Sequence, residues 1–295
     1  MTDTRVGSMP ITLSRPAALL PRYVEIETSR KCNRACSWCP NGEHPARREQ
    51  QLMDWPLYTQ IIDQLGELAW DGWLAFHNYN EPLLNTRLLD EIAYAKSILP
   101  HAKPAIYTNG DALRRPLFDR LVEAGTEYIR VTRYPHRADT SPSYTAITKW
   151  LAQAGLDDDT LVWSFGKVRQ GLSASVEVGR LRIEVISPQI LGTYNTRGGS
   201  VTMLELGSAR RTAPCLMTAT SASIDYRGLM KMCCCVVPEV DEHARYVIGD
   251  LRTVTFVELW NSEQMARYRD AHASADWSQS PACRSCTQPL PETRQ

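Results

Sequence analysis

Three cysteines close together carry the first chemical signal, Cys32-Asn-Arg-Ala-Cys36-Ser-Trp-Cys39, a CxxxCxxC spacing. Three thiolates on one short loop can ligate three irons of a cubane [4Fe–4S] cluster and leave the fourth iron open to a non-protein ligand. A structural zinc ion would want four protein ligands, and no fourth partner lies nearby in sequence. A second set follows much later: Cys215, then Gly228 and Cys233 with four residues between them, then Cys283-Arg-Ser-Cys286. These four thiolates make a closed shell for a second cluster, and the same arithmetic also suits a four-cysteine zinc site. The chain holds nine cysteines and none between Cys39 and Cys215. So polarised a set reads as metal ligands rather than as a disulfide framework.

Elements that position these residues are legible in outline. Residues 23–28 alternate apolar and acidic side chains, as a strand does, and run straight into the Cys32 loop. Helical spacing at 53–68, 88–99, 113–124 and 143–154 interleaves with strand patterns at 73–76, 105–107, 128–132, 160–165 and 181–187. Such alternation predicts βαβ units, a parallel sheet, and chemistry gathered at the carboxyl ends of the strands. After residue 208 the composition shifts to cysteines and turn residues, with one further helix expected at 257–271. The expected organisation is a flexible arm at 1–21, a barrel-like unit at 22–205 and a small cysteine-rich module at 206–295.

CxxxCxxC with an aromatic residue before the last cysteine, placed after a first strand, resembles the radical S-adenosylmethionine (SAM) superfamily. The resemblance implies an α/β fold, a partial (β/α)6 TIM-type barrel. It also implies that SAM chelates the open iron of the Cys32–Cys36–Cys39 cluster and is cleaved to a 5′-deoxyadenosyl radical that takes hydrogen from a substrate. Trp38 would then lie against the adenine. Tyr79-Asn80-Glu81-Pro82 stands where the family has Gly-Gly-Glu-Pro and binds the SAM amino group. Asn80 replaces a glycine there and is expected to supply the left-handed backbone. Thr108 and Asn109, then Thr132 and Arg133, end the next two strands at SAM-facing positions.

The later cysteines resemble the twitch module, the shortened SPASM domain. That resemblance implies an auxiliary [4Fe–4S] cluster on Cys215, Cys233, Cys283 and Cys286, hence two clusters in all. Arg197-Gly-Gly199 and the segments around Glu25, Cys32, His77, Glu81 and Asn109 are similar to twitch enzymes of aminoglycoside biosynthesis. There, the arginine of Arg-Gly-Gly meets a substrate oxygen, so Arg197 is carried over as a substrate contact; a strand-end ion pair is the plainer alternative.

Cys233 continues into Cys234 and Cys235, and only one of the three is needed for a cluster. A spare thiol is small, tolerates apolar surroundings and has a weak S–H bond. Beside a substrate radical it would deliver a hydrogen atom to the opposite face. The expectation is therefore an epimerase acting on a carbinol or amine carbon of an aminoglycoside-like sugar or cyclitol in antibiotic biosynthesis, with Cys234 or Cys235 as donor. The alternative reading of the thiols is buried hydrophobes or a replacement ligand. The alternative reaction is oxidation of an alcohol to a ketone, with the auxiliary cluster as electron acceptor; ribosomal-peptide modification is more distant, and a zinc-stabilised binding protein is the non-enzymatic reading. Oxidation needs a base for the alcohol proton, and His77, Glu25, Glu27 and Asp225 all qualify by type.

Composition agrees with a soluble enzyme. The chain has 295 residues, 43% hydrophobic and 22% charged, enough to bury a core. Lys plus Arg and Asp plus Glu are 33 each, so no bulk attraction to nucleic acid is expected. No apolar run nears the ~18 residues of a membrane span, and no signal peptide is read at the N-terminus. The expected setting is cytoplasmic, with a reducing partner such as flavodoxin or ferredoxin.

Overall fold

One ten-stranded sheet organises the molecule, in the order β10-β9-β8-β1-β2-β3-β4-β7-β6-β5. The computed structural model describes residues 19–45, 49–134, 141–156, 161–165, 171–190, 196–201 and 211–286; most of the expected arm lies outside them. The strands are β1 Tyr23–Ile26, β2 Trp73–Ala75, β3 Lys103–Thr108, β4 Tyr128–Thr132, β5 Val162–Phe165, β6 Leu172–Val178, β7 Leu181–Ser187, β8 Ser221–Ile224, β9 Leu229–Lys231 and β10 Val247–Asp250. Six of them, β8-β1-β2-β3-β4-β7, run parallel. The sheet is unclosed: β5 and β10 stand at opposite edges, which is the partial barrel that the resemblance implied.

Period-two and period-3.6 patterns meet on one face of this sheet. Val24 and Ile26 of β1 are fully buried against α2, Trp55–Glu67, which buries Leu57, Tyr58, Ile61, Ile62 and Leu65. The other helices of this layer are α3 Leu88–Ile98, α4 Arg115–Glu123 and α5 Tyr144–Ala154, after the short α1 Pro40–Glu43. In α5, Ser143 Oγ accepts the Ala146 N–H at the start, and Gly155 closes the end with φ 67°. The other face of the sheet is the lumen. Tyr23, Trp73, Ala75, Ala105, Tyr107 and Tyr128 pack there, and Arg130 pairs with Glu184 at 2.8 Å.

Two elements depart from the sequence expectation. β6 was not expected; its Ser173-Ala174-Ser175 centre is poor in strand-favouring side chains. It forms a hairpin with β7 through Gly179 at φ 60°, so the run β5-β6-β7 is antiparallel rather than βαβ. The helix expected at 257–271 is two, α7 Phe256–Trp260 and α8 Glu263–Ala273. Ser262 breaks it: its side chain accepts from Met265 N and starts α8 afresh. With α6 Met217–Thr220, these helices flank a hairpin, β8–β9, that hydrogen-bonds straight onto β1. Cys233 to Cys235 thus follow a strand of the same sheet as the first three cysteines.

Candidate active site

β1 delivers the first three cysteines, all half-buried, on the loop beyond its carboxyl end. Cys39 is the N-cap residue of α1 and donates its N–H to the Cys36 carbonyl at 3.0 Å. Gly42 makes this tight return feasible: a Cβ there would stand 2.5 Å from the Cys36 carbonyl oxygen. Burial, reinforced by the neighbouring thiols, pushes Cys32 up to about 12 and Cys36 up to about 11. Three thiolates can share this loop only with a strongly cationic group among them.

The loop is held by charge. Arg34 donates to Asp111 at 2.7 and 2.6 Å, Asn33 donates to it at 3.1 Å, and Arg133 Nη1 donates to it at 3.1 Å. Burial alone would raise Asp111, but the Arg34 and Arg133 guanidiniums hold it below the usual carboxylate range. Arg133 also donates to the Asn109 carbonyl at 2.6 Å, and Asn109 Nδ2 to Asn33 at 2.8 Å. The loops after β1, β3 and β4 are therefore one network.

Glu81 is buried beside it. Its carboxylate accepts Thr108 Oγ1 at 2.5 Å, Asn109 N at 2.7 Å and Leu83 N at 3.2 Å. Burial pushes it up to about 7 against those bonds. Asn80 does not take the left-handed backbone expected of it: the non-glycine residues with positive φ among those described are Ala69, Arg197 and Ala275. Its side chain explains its place instead, donating to Ser29 Oγ and the Phe76 carbonyl and accepting the Asn78 N–H. Thr132 is buried at the end of β4. Trp38 packs on Ile190, Val201 and Tyr134, and its indole Nε1 is buried without a hydrogen-bond partner among the described residues.

The second set lies across the lumen. Cys215, Cys233, Cys235, Cys283 and Cys286 line one cavity, together with Met232, His243, Tyr246 and His272. The β8–β9 hairpin turns at Gly228, φ 87°, to present Cys233, while the 3-10 turn Pro281–Ser285 presents Cys283. Burial pushes Cys283 up to about 12. No disulfide joins any of the nine cysteines. Among the described residues, no three or more such side chains are gathered tightly enough to hold a single ion. A cubane spreads its thiolates around a core, whereas zinc draws them to about 2.3 Å from a point. Thiols lining one enclosed cavity suit the auxiliary cluster expected of them.

Cys234 and Cys235 part company here. Cys235 lines the cavity, with Arg197 Nη1 3.8 Å from its Sγ. Cys234 is not among the lining residues, although its thiol hydrogen-bonds that of Cys235, and Glu25 and Arg197 act on it electrostatically. Arg197 sits not at a strand end but in a left-handed turn, φ 50°, followed by Gly198 and Gly199 at 64° and 92°. Sequence reasoning missed its anchor, His243, which accepts the Val237 N–H at 3.0 Å and lies 2.9 Å from the Gly198 carbonyl. Tyr79 bridges the two cysteine sets: its carbonyl accepts from Asn41 of α1, its hydroxyl donates to the Cys234 carbonyl at 2.9 Å, and Arg197 lies 5.8 Å over its ring.

Comparison with known proteins agrees with both halves of the site. A family model for the radical SAM superfamily matches residues 26–158, and one for an iron–sulfur cluster-binding domain, SPASM, matches residues 215–287. The chain thus carries a radical SAM region followed by a SPASM region. It is 26% identical over 263 residues to the S-adenosyl-L-methionine-dependent 2-deoxy-scyllo-inosamine dehydrogenase of Niallia circulans, covering 89% of this chain and 91% of that protein. BtrN in complex with AdoMet and 2-DOIA superposes with TM-score 0.68 at 24% identity, over 92% of this chain and 94% of that one. BtrN in an open conformation gives 0.61 at 20% identity, over 91% and 92%.

This radical SAM chain is accordingly an enzyme that uses SAM and a [4Fe–4S] cluster, with a further iron–sulfur cluster in its SPASM region. The residues present fit both kinds of group: crowded buried thiols call for a cationic core, and Trp38 Nε1 awaits a polar partner. Among the described residues no helix is long and apolar enough to cross a membrane.

Proposed function

We propose that the chain oxidises a carbinol carbon of an aminocyclitol to a ketone. The relationship to a 2-deoxy-scyllo-inosamine dehydrogenase along nearly its whole length carries this reading. It supports the oxidative alternative over the stereochemical inversion expected from the spare thiols. In this reading Cys32, Cys36 and Cys39 hold the SAM cluster, and Cys215, Cys233, Cys283 and Cys286 hold the auxiliary one. SAM with its cluster supplies hydrogen-atom abstraction from carbon, and the auxiliary cluster supplies an electron sink. The protein positions: Trp38 covers the adenine, Tyr79, Asn80 and Glu81 face the SAM amine, Thr108, Asn109, Thr132 and Arg133 shape its ribose and carboxylate side, and Arg197 meets a substrate oxygen. The units remain 22–205 and 206–295 behind an arm at 1–21, and a flavodoxin or ferredoxin supplies the reducing electron.

Inversion keeps one specific observation in its favour, a spare thiol, Cys234, within electrostatic reach of Glu25. One incubation separates the two. Reconstituted enzyme, SAM and 2-deoxy-scyllo-inosamine are combined in D2O without oxygen, and the product is read by mass spectrometry and NMR. Oxidation gives a ketone. Inversion gives an unoxidised product with one deuterium at the inverted carbon, and that result would replace the dehydrogenase reading.

A further inference from the structure

Oxidising a carbinol removes a hydrogen atom from carbon, a proton from oxygen and one electron. SAM chemistry accounts for the hydrogen atom and an iron–sulfur centre for the electron. The proton needs a base of the protein, and four residues qualified in the sequence without distinction. We propose that Glu25 is that base, receiving the substrate hydroxyl proton on Oε2. The proposal rests on the oxidative reading above.

Position comes first. Glu25 lies at the centre of the sheet on β1, on its lumen side, and is 6% exposed. Its two oxygens are in different situations. Oε1 accepts Asn78 Nδ2 at 2.5 Å and Ser223 Oγ at 3.1 Å. Oε2 has one described neighbour, His77 Nε2, at 3.6 Å. One oxygen is thus clamped from the loop after β2 and from β8, and the other is left facing the lumen. His77 stacks on Tyr107 with ring centroids 4.2 Å apart, and its Nδ1 is buried without a hydrogen-bond partner among the described residues. An open carboxylate oxygen and an unpartnered buried imidazole nitrogen on adjacent strands are what a polyol would fill.

Asn78 then ties this carboxylate to the substrate side of the second cysteine set. Its Nδ2 also donates to the Cys234 carbonyl at 3.0 Å, and its Oδ1 accepts the buried Lys231 Nζ at 2.9 Å. Tyr79 and Arg197 close the same space. The competitors fail on geometry. Asp225 is bonded to Arg227 at 2.7 Å in the β8–β9 turn. Glu27 accepts the Tyr79 N–H at 3.1 Å. His77 is held neutral down to about 3 by burial and by Arg130, Arg197 and Lys231, so it accepts a proton poorly.

Charge supports the assignment. Burial pushes Glu25 up to about 7, with Glu27 adding to it, while Lys231, Asn78 and Ser223 pull it down. Tyr23 and Cys234 are the other titratable groups facing it. A base is most effective when its pKa lies near the working pH. Above about pH 7 the carboxylate is ready to accept; below it the site is protonated and oxidation slows.

The test uses reconstituted holoenzyme with SAM and 2-deoxy-scyllo-inosamine between pH 5.5 and 9, measuring 5′-deoxyadenosine, ketone, and reduction of the auxiliary cluster by EPR. Wild-type ketone per 5′-deoxyadenosine should rise with pH through a midpoint near 7. Glu25→Gln should keep 5′-deoxyadenosine formation within about threefold, lose ketone about 100-fold, and lose the reduced-cluster signal. Glu25→Asp should keep the pH limb at about tenfold lower yield; it serves if Glu25→Gln fails to hold its iron. A variant retaining the wild-type ratio and pH profile would overturn Glu25 as the base. A wild type that makes no ketone at any pH overturns the oxidative reading, and this proposal with it.

Discussion

The two cysteine sets are built on opposite principles. The first is a strand-end loop locked by ions: Arg34, Asp111 and Arg133 bind three loops together, and the buried Glu81 carboxylate is satisfied by Thr108 and two backbone N–H groups. The second is a cavity walled by Met232, Tyr246, Trp277 and two histidines, with five thiols where four suffice. A site that must receive a zwitterion needs polar groups already paired and aimed. The second site gives its cluster enclosure instead, and apolar walls supply it.

The comparison can be broken at several points. Largest is the loss of either set. Replacing Cys32, Cys36 and Cys39 by Ala should abolish SAM cleavage and lower iron from about eight to about four per chain. Replacing Cys283 and Cys286 should remove the other four or so and leave SAM cleavage measurable. If both variants lose all iron, the two sites are not independent.

Gly42→Ala strikes the backbone of the first set alone. With a Cβ 2.5 Å from the Cys36 oxygen, it should cost about 1–3 kcal/mol in chemical denaturation and deplete first-site iron selectively. Asp111→Asn tests whether ion pairing aims that loop. SAM affinity, measured by calorimetry, should fall about tenfold, on the order of 1.4 kcal/mol, with second-site iron intact. Cys235→Ser is the smallest change. Iron should stay near eight, since Cys215, Cys233, Cys283 and Cys286 remain; a fall to about four would make Cys235 a ligand in place of Cys233.

Much of the frame was legible because its signals are local. The alternation at Tyr23–Ile26, the helical stripe of Leu57, Ile61 and Leu65, and the Ser143 and Gly155 stops each depend on neighbours a few residues away. β6 escaped because burial of Ser173 and Ala174 between β5 and β7 compensates for their weak preference, and that compensation exists only once the sheet has formed. Lys231 gave a faint clue, a lysine amid Leu-Met and Met, but its partner Asn78 is 153 positions away.

The sequence by itself marked the first cluster site, since three thiolates at this spacing on a short loop leave few other ways to hold metal, whereas the second set still allowed zinc. It also determined that the distinctive loops share one rim, because parallel strands end on the same side. Tertiary structure decided the rest. Asn80 serves through its side chain, Cys235 lines the cavity and Cys234 does not, and His243 fixes the turn of Arg197. It alone distinguishes Glu25 from Glu27, two carboxylates two residues apart whose partners come from β8 and the loop after β2. Hydrogen bonds between distant segments leave no periodicity behind, so only the folded chain displays them.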